Sequence, residues 1–115
     1  MFSWPRLSAF DPLVLDCLTR ANGEWAGEIQ AQIIQGECVA VLTEFGVAVF
    51  RDEGDECCAV SYAGSNYAGI LAEWMQRLKG SKFTSFRIHS DNPAMVRMWR
   101  KLSIKPNEWV FRGTV

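Results

Sequence analysis

Two stretches of this 115-residue chain bring together residue types that could do chemistry. The first runs from Lys82 to Leu102 and reads KFTSFRIHS, then DNPAMVRMWRKL. Its first half alternates like a strand, with Thr84, Phe86 and Ile88 on one side and Phe83, Ser85, Arg87 and His89 on the other. Its second half opens like a helix. Asp91 or Asn92 can cap it, Pro93 suits the first helical position, and Met95, Met98, Trp99 and Leu102 repeat at helical spacing. A strand that feeds directly into a capped helix leaves backbone N–H groups free at the junction, where an anion or a carbonyl can be held. His89 is the only histidine. It stands at the end of the strand, where ligands gather in open sheets and where an imidazole can exchange a proton near neutral pH. The alternative is a hydrogen-bonded structural histidine, with Ser90, Asp91 and Asn92 acting as caps.

The second stretch is Val60–Leu71, VSYAGSNYAGIL. Glycines permit close backbone approach, and the positive end of a following helix attracts phosphate. Measured against nucleotide loops, Gly64-x4-Gly69 lacks the Lys and Ser/Thr of a P-loop, because Ile70-Leu71 stand there. Upstream, Glu56 heads the preceding strand beside Asp55, and its plain alternative is an exposed strand-end acid. Cys17, Cys38, Cys57 and Cys58 form no C-x-x-C, and neighbours on a strand point to opposite faces. Neither a zinc site nor an ordinary disulfide suits them, so buried reduced thiols and no metal are expected.

The run Asn92-Pro93-Ala94-Met95-Val96-Arg97-Met98-Trp99-Arg100-Lys101-Leu102-Ser103-Ile104 resembles the fourth-helix motif of GNAT-family N-acetyltransferases. In that motif an asparagine opens the helix, an apolar-tyrosine pair follows, and a Lys-Leu-Gly-Phe turn closes it. Here Trp99 stands for the tyrosine, Ser103 for the glycine and Ile104 for the phenylalanine. The resemblance implies an α/β (α+β) domain with a GNAT-like mixed, mostly antiparallel central sheet and helices on both faces, spanning residues 1–115.

It also implies where a cofactor would sit. In the family, an Arg/Gln-x-x-Gly-x-Gly/Ala loop ahead of the third helix holds the pyrophosphate of acetyl-CoA. That places Tyr62, Gly64, Ser65 and Asn66, with Asn92, as the candidate cofactor-binding residues. No Arg or Gln leads the loop, the glycine spacing differs, and bulky Tyr67 lies near where the phosphates would be. The tyrosine that serves the family as acid corresponds to Trp99, whose indole N–H cannot act so at neutral pH. Glu56 is the carboxylate nearest to where such enzymes keep a base, and His89 is the other candidate catalytic residue. The expectation is a degenerate GNAT-like domain, non-catalytic and without a cofactor, that binds protein or serves a structural role. The alternative is an active N-acetyltransferase using acetyl-CoA on a small amine or a protein N-terminus. The compact length and the segment around His89 to Lys101 are also loosely similar to GNAT-like internal virion proteins of short-tailed phages.

The elements that must position these residues follow from periodicity. Phe2 to Leu7 reads as a short edge strand with Pro5 on its unpaired side. Asp11-Pro12 starts a helix that carries Leu13, Val14, Cys17 and Leu18 and ends at Asn22-Gly23. A second helix covers Glu24 to Gln35 and stops at Gly36. ECVAVLTEF and GVAVFR form a hairpin around Phe45-Gly46, Asp52–Asp55 is a polar turn, and Glu56 to Tyr62 is a third buried strand. Ala63–Asn66 is a flexible loop. Tyr67, Ile70, Leu71, Trp74, Met75 and Leu78 mark an amphipathic helix, closed by Gly80. Pro106-Asn107 is a turn before a last strand over Trp109, Val110 and Phe111.

Composition narrows the function classes. A chain that is 49% apolar, with five Trp and seven Phe, is one folded domain and not a disordered linker. The net charge of -1 hides an asymmetry. Residues 1–60 hold ten acids and three bases (-7), and residues 61–115 hold three acids and nine bases (+6). The two halves therefore suit a protein partner, or self-association through complementary charge. Nucleic acid is not expected, because the basic residues lack interleaved aromatics and any groove-reading motif. No signal-peptide core and no apolar run of membrane-spanning length occurs, so a cytoplasmic protein without a membrane is expected, packaged in a virion if the phage similarity holds.

Overall fold

Asp11 folds the first helix as its sequence dictates. Its side chain accepts from Leu13 N at 2.9 Å, Pro12 occupies the first turn, and helix α1 runs over Pro12–Asn22. Val14, Cys17 and Leu18 form its buried stripe. Gly23, at φ +55°, breaks it, and one 3-10 turn over Gly23–Trp25 reverses the chain into α2, Ala26–Ile34. α2 thus starts two residues later than the expected Glu24, because Trp25 offers no side-chain cap and the tight turn absorbs the reversal. The computed structural model describes residues 2–89, 106–107 and 110–115. The expected helix over Asn92–Leu102 lies outside them.

The strands are β1 (Arg6–Leu7), β2 (Cys38–Leu42), β3 (Gly46–Glu53), β4 (Glu56–Gly64), β5 (Ser85–His89), β6 (Pro106–Asn107) and β7 (Val110–Thr114). They form one sheet in the order β1-β2-β3-β4-β5-β7-β6. Every pairing is antiparallel except β4 with β5, whose parallel register needs the crossover helix α3, Tyr67–Lys79. This is the mixed, mostly antiparallel sheet with helices on both faces that the sequence implied.

Alternation divides the core between those faces. Val47 and Val49 join Cys38, Ala40, Val14, Cys17, Leu18 and Ile29 beneath α1 and α2. Ala48 and Phe50 point the other way, to Cys57, Phe86, Ile88 and the stripe Ile70, Leu71, Trp74 and Leu78 of α3. The N-terminus completes the α3 side. Phe2 and Trp4 pack against Phe50, and the Arg77 guanidinium lies 4.4 Å from the Trp4 ring centroid while donating to the carbonyl of Phe2. Only Arg6–Leu7 of the expected Phe2–Leu7 strand pairs with β2, because the aromatic residues before it turn into the core.

Three other local expectations shift. Ala63 and Gly64 belong to β4, not to a loop, since they continue its pairing with β3. Phe83 lies before β5 and is buried with Phe86 and Ile88, so it does not share a side with Ser85 and Arg87. Pro106-Asn107 is a strand paired with Val110 and Phe111, not the turn itself.

Candidate functional site

β4 and its exit into α3 gather most of the described candidate residues. Along β3, Val49 faces Ser61 while Phe50 faces Ala59, so Val60 is an extra residue, a β-bulge. The bulge lies one residue beyond the last described pair with the parallel partner β5. The last register pair with β5 is Ala59 with Ile88, and Val60–Gly64 have no partner in β5 among the described residues. Bulging re-aims Ser61, which is buried and donates to Oδ1 of Asn22 at the end of α1.

The exit itself is short. Only Ser65 and Asn66 separate β4 from α3. Gly64 crosses Gly46 so closely that a Cβ on Gly64 would lie 2.2 Å from the Phe45 carbonyl oxygen and 2.8 Å from Gly46 Cα. Ser65 N donates to that same Phe45 carbonyl at 2.9 Å. The Tyr62 hydroxyl donates to Ser65 O at 2.7 Å, and its ring meets Tyr67 edge-on at 5.1 Å. Burial first, then the neighbouring Tyr67 and Cys17, pushes the Tyr62 phenol up to about 12. Asn66 adopts the left-handed conformation (φ +53°, ψ +63°) and caps α3. Its Oδ1 accepts from Gly69 N at 3.0 Å and its carbonyl from Ile70 N at 3.0 Å.

Two of the five amides from Ser65 to Gly69 are therefore bonded to protein, those of Ser65 and Gly69. The amides of Asn66, Tyr67 and Ala68 are the ones with no hydrogen-bond partner among the described residues. They form the positive end of a 13-residue helix, which favours an anion, and Tyr67 is the first residue of that helix.

Glu56 stands elsewhere. It begins β4, eight residues from Gly64, which is about 26 Å along an extended strand. Ser85 Oγ donates to its carboxylate at 3.2 Å, and Arg87 Nη1 lies 3.7 Å away. Arg87 also pairs with Glu53, which in turn meets Arg51 at 3.1 Å, so Glu56 ends a charged row across β3, β4 and β5. Glu56 and the turn at Ser65 thus lie at opposite ends of β4. His89 ends β5, one residue beyond the Ile88–Ala59 pair and so level with the bulge at Val60. Its side chain and the whole of Asn92 lie outside the described residues.

Burial pushes the thiols of Cys17 and Cys38 up to about 11 and that of Cys57 up to about 12, and raises Cys58 as well. No group of three or more His, Cys, Asp or Glu side chains is placed to hold a metal among the described residues. Neither the Ser61–Asn22 bond nor the Tyr62–Ser65 clamp was anticipated. The only sequence signal for either was a polar residue inside an otherwise apolar strand.

No family model matches the sequence, and no curated protein matches it either. Solved structures do. The chain superposes on GCN5 of Tetrahymena with a TM-score of 0.58 at 8% identity, covering 89% of this chain and 84% of that one. It superposes on the PaiA N-acetyltransferase of Thermoplasma acidophilum, solved in complex with coenzyme A, with a TM-score of 0.57 at 10% identity, covering 95% and 96%. The chain has the fold of these GNAT proteins.

Proposed function

We propose that this chain is a GNAT-fold module that has lost its acetyl-CoA site and works by binding protein. What carries the proposal is the β4–α3 turn. An acyl-CoA pyrophosphate needs several converging amides with room in front of them. Here the turn has two residues, the Ser65 amide is bonded to Phe45, the Gly69 amide to Asn66, and Tyr67 stands at the helix start. These residues do not fit the cofactor, and no acyl-transfer step is derived from them.

In the family resemblance the tyrosine acid corresponds to Trp99, whose indole N–H cannot serve as that acid at neutral pH. The chain has two tyrosines in all, Tyr62 and Tyr67. The hydroxyl of Tyr62 is committed to Ser65 O, and a phenol pushed up to about 12 is far from the operating pH at which a general acid works best. A role inside a phage particle belongs to the same proposal and rests on the sequence similarity alone. Detecting the chain in purified particles is its test.

Calorimetric titration with acetyl-CoA tests the main point. The expected result is no saturable heat and no change in melting temperature at about 1 mM ligand. A dissociation constant near 10 µM would instead stabilise the protein by about 2.7 kcal/mol at that concentration, and such a shift would overturn the proposal.

One observation favours the second reading, a working N-acetyltransferase. β4 bulges at Val60, its described pairing with β5 ends at Ala59, and three amides at the head of α3 have no partner among the described residues. The same titration decides between the two, since only the enzyme requires the cofactor.

A further inference from the structure

The segment that precedes β1 is tied to the fold by few backbone bonds. Phe2 and Ser3 both adopt the left-handed conformation, at φ +60° and +64°, which is strained for residues other than glycine. Pro5 has no N–H to offer a neighbouring strand, and β1 itself is two residues long. Among the described residues, the backbone of Phe2–Pro5 makes two hydrogen bonds, from Arg77 to Phe2 O and from Leu42 N to Pro5 O at 2.9 Å. The side chains hold more. Trp4 is buried and stacks on Phe50 at 6.1 Å, while Phe2 meets Phe50 at 5.6 Å and Phe83 at 5.9 Å. Arg77 of α3 fastens both residues. Besides its bond to Phe2 O it lies over the Trp4 ring, and it reaches Glu73 at 3.4 Å and Glu44 at 3.5 Å. Glu44 also accepts from Trp4 Nε1 at 3.4 Å. The layer beneath has contacts of its own, because Phe50 packs on Trp74 at 5.3 Å and Trp74 on Phe86 at 5.4 Å.

We infer that Phe2–Pro5 is a strap latched by Arg77, which opens as a unit while the sheet stays folded and uncovers an aromatic floor of Phe50 and Phe83. The inference goes beyond the proposed function and stands whether or not the chain binds acetyl-CoA. Opening breaks the two backbone bonds and the contacts that Arg77 and Glu44 make with the strap. It also frees Phe2 and Ser3 from the left-handed region. The pairing of β2 with β3 and of β3 with β4, and the packing of α3 on Phe50 and Phe86, involve none of these residues. Opening the strap therefore takes a fraction of the free energy of unfolding. Burial of Trp4 and of the Phe2 ring opposes it, so the closed form predominates. Arg77 sets the balance because it touches Phe2, Trp4 and Glu44 together.

Amide hydrogen exchange on the full chain tests this. The Leu42 amide, which donates to Pro5 O, reports the strap, and the Ala48 amide, in β3 between β2 and β4, reports the sheet. Leu42 is expected to be at least about tenfold less protected than Ala48. Its exchange should also be insensitive to urea below the unfolding transition, because a local opening exposes little surface. Arg77→Ala removes one hydrogen bond and one cation–π contact from the strap, and is expected to speed Leu42 exchange about tenfold, still independent of urea. Circular dichroism checks that the variant keeps its fold. Equal protection of Leu42 and Ala48, with the same urea dependence, would mean that the strap opens only when the whole chain unfolds. Leu42 exchange left unchanged by Arg77→Ala would mean that Arg77 is no latch. Either result overturns the inference.

Discussion

Replacing Gly64 by alanine probes the feature on which the functional proposal depends. The new methyl would lie 2.2 Å from the Phe45 carbonyl oxygen, 2.8 Å from Gly46 Cα and 2.8 Å from the Tyr62 hydroxyl. Two of these are backbone atoms of the facing strand, so no side-chain rotation relieves the clash, and β3 and β4 must separate at their ends. Separation breaks the Ser65 N to Phe45 O bond and displaces the Tyr62 hydroxyl from Ser65 O, each worth about 1 kcal/mol net. The remaining crowding adds about 1–3 kcal/mol, as for other overpacked sites. The total is about 3–5 kcal/mol. For a domain of this size, that lowers the melting temperature by about 12–20 °C. Gly54→Ala is the control. It sits in the β3–β4 turn at φ +86° with open space around it, so it suffers only the backbone cost of about 1 kcal/mol. Urea unfolding of both variants, at matched slope, reads the difference. If Gly64→Ala loses no more than Gly54→Ala, the strands do not cross as tightly as described, the turn has room in front of it, and the case against a phosphate cradle collapses.

Three further outcomes follow from the same geometry. Tyr62→Phe removes one hydroxyl donor from Ser65 O and is expected to cost about 1 kcal/mol, and an unchanged urea midpoint would show that the clamp does not hold the turn. Arg77→Ala loses the contact over Trp4 and the bond to Phe2 O, about 1–2 kcal/mol together, and should raise protease cleavage near the N-terminus; equal cleavage in both proteins would refute the anchoring role. The thiols give a pH dependence. Their folded values lie above the ordinary value near 9, so their contribution is complete below pH 9 and is lost as pH rises toward 11, because the unfolded chain deprotonates first. Cys17, Cys38 and Cys57 together make stability fall by about 4 kcal/mol per pH unit in that window, and unfolding curves that coincide at pH 8.5 and 10.5 would refute their burial.

The architecture was legible because each element carried its own signal. Asp11-Pro12 capped α1, period-two alternation in GVAVFR divided Val47 and Val49 from Ala48 and Phe50, and the stripe from Ile70 to Leu78 set the buried face of α3. The candidate site was less legible. A bulge depends on register between two strands, and nothing in Val60 itself announces the extra residue. The length of the β4–α3 connection was misjudged because Ala63-Gly64 reads as a loop until its partner Gly46 is known to lie against it. The placement of Glu56 far from the turn needs only strand arithmetic, yet its ties to Ser85 and Arg87 come from the parallel neighbour β5, which sequence order cannot supply.

The fold does not require an open turn, so on the proposed reading the one persists while the other is lost. Both apolar cores centre on the middle of the sheet, through Val49 and Leu18 on one face and Phe50 and Trp74 on the other, and reach the turn through Ala63, Phe45, Tyr62 and Ile70. A cofactor loop needs amides held open at an energetic cost, whereas here Phe45 takes the Ser65 amide, Asn66 takes the Gly69 amide and Tyr62 holds the Ser65 carbonyl, leaving the amides of Asn66, Tyr67 and Ala68 without a partner among the described residues. On the proposed reading, closing a binding turn in this way stabilises the free chain and removes the reason to keep an acid and a base nearby. Selection would then act on what the exterior still offers, and among the described residues the least self-sufficient exterior is the acidic, apolar face of α1 and α2.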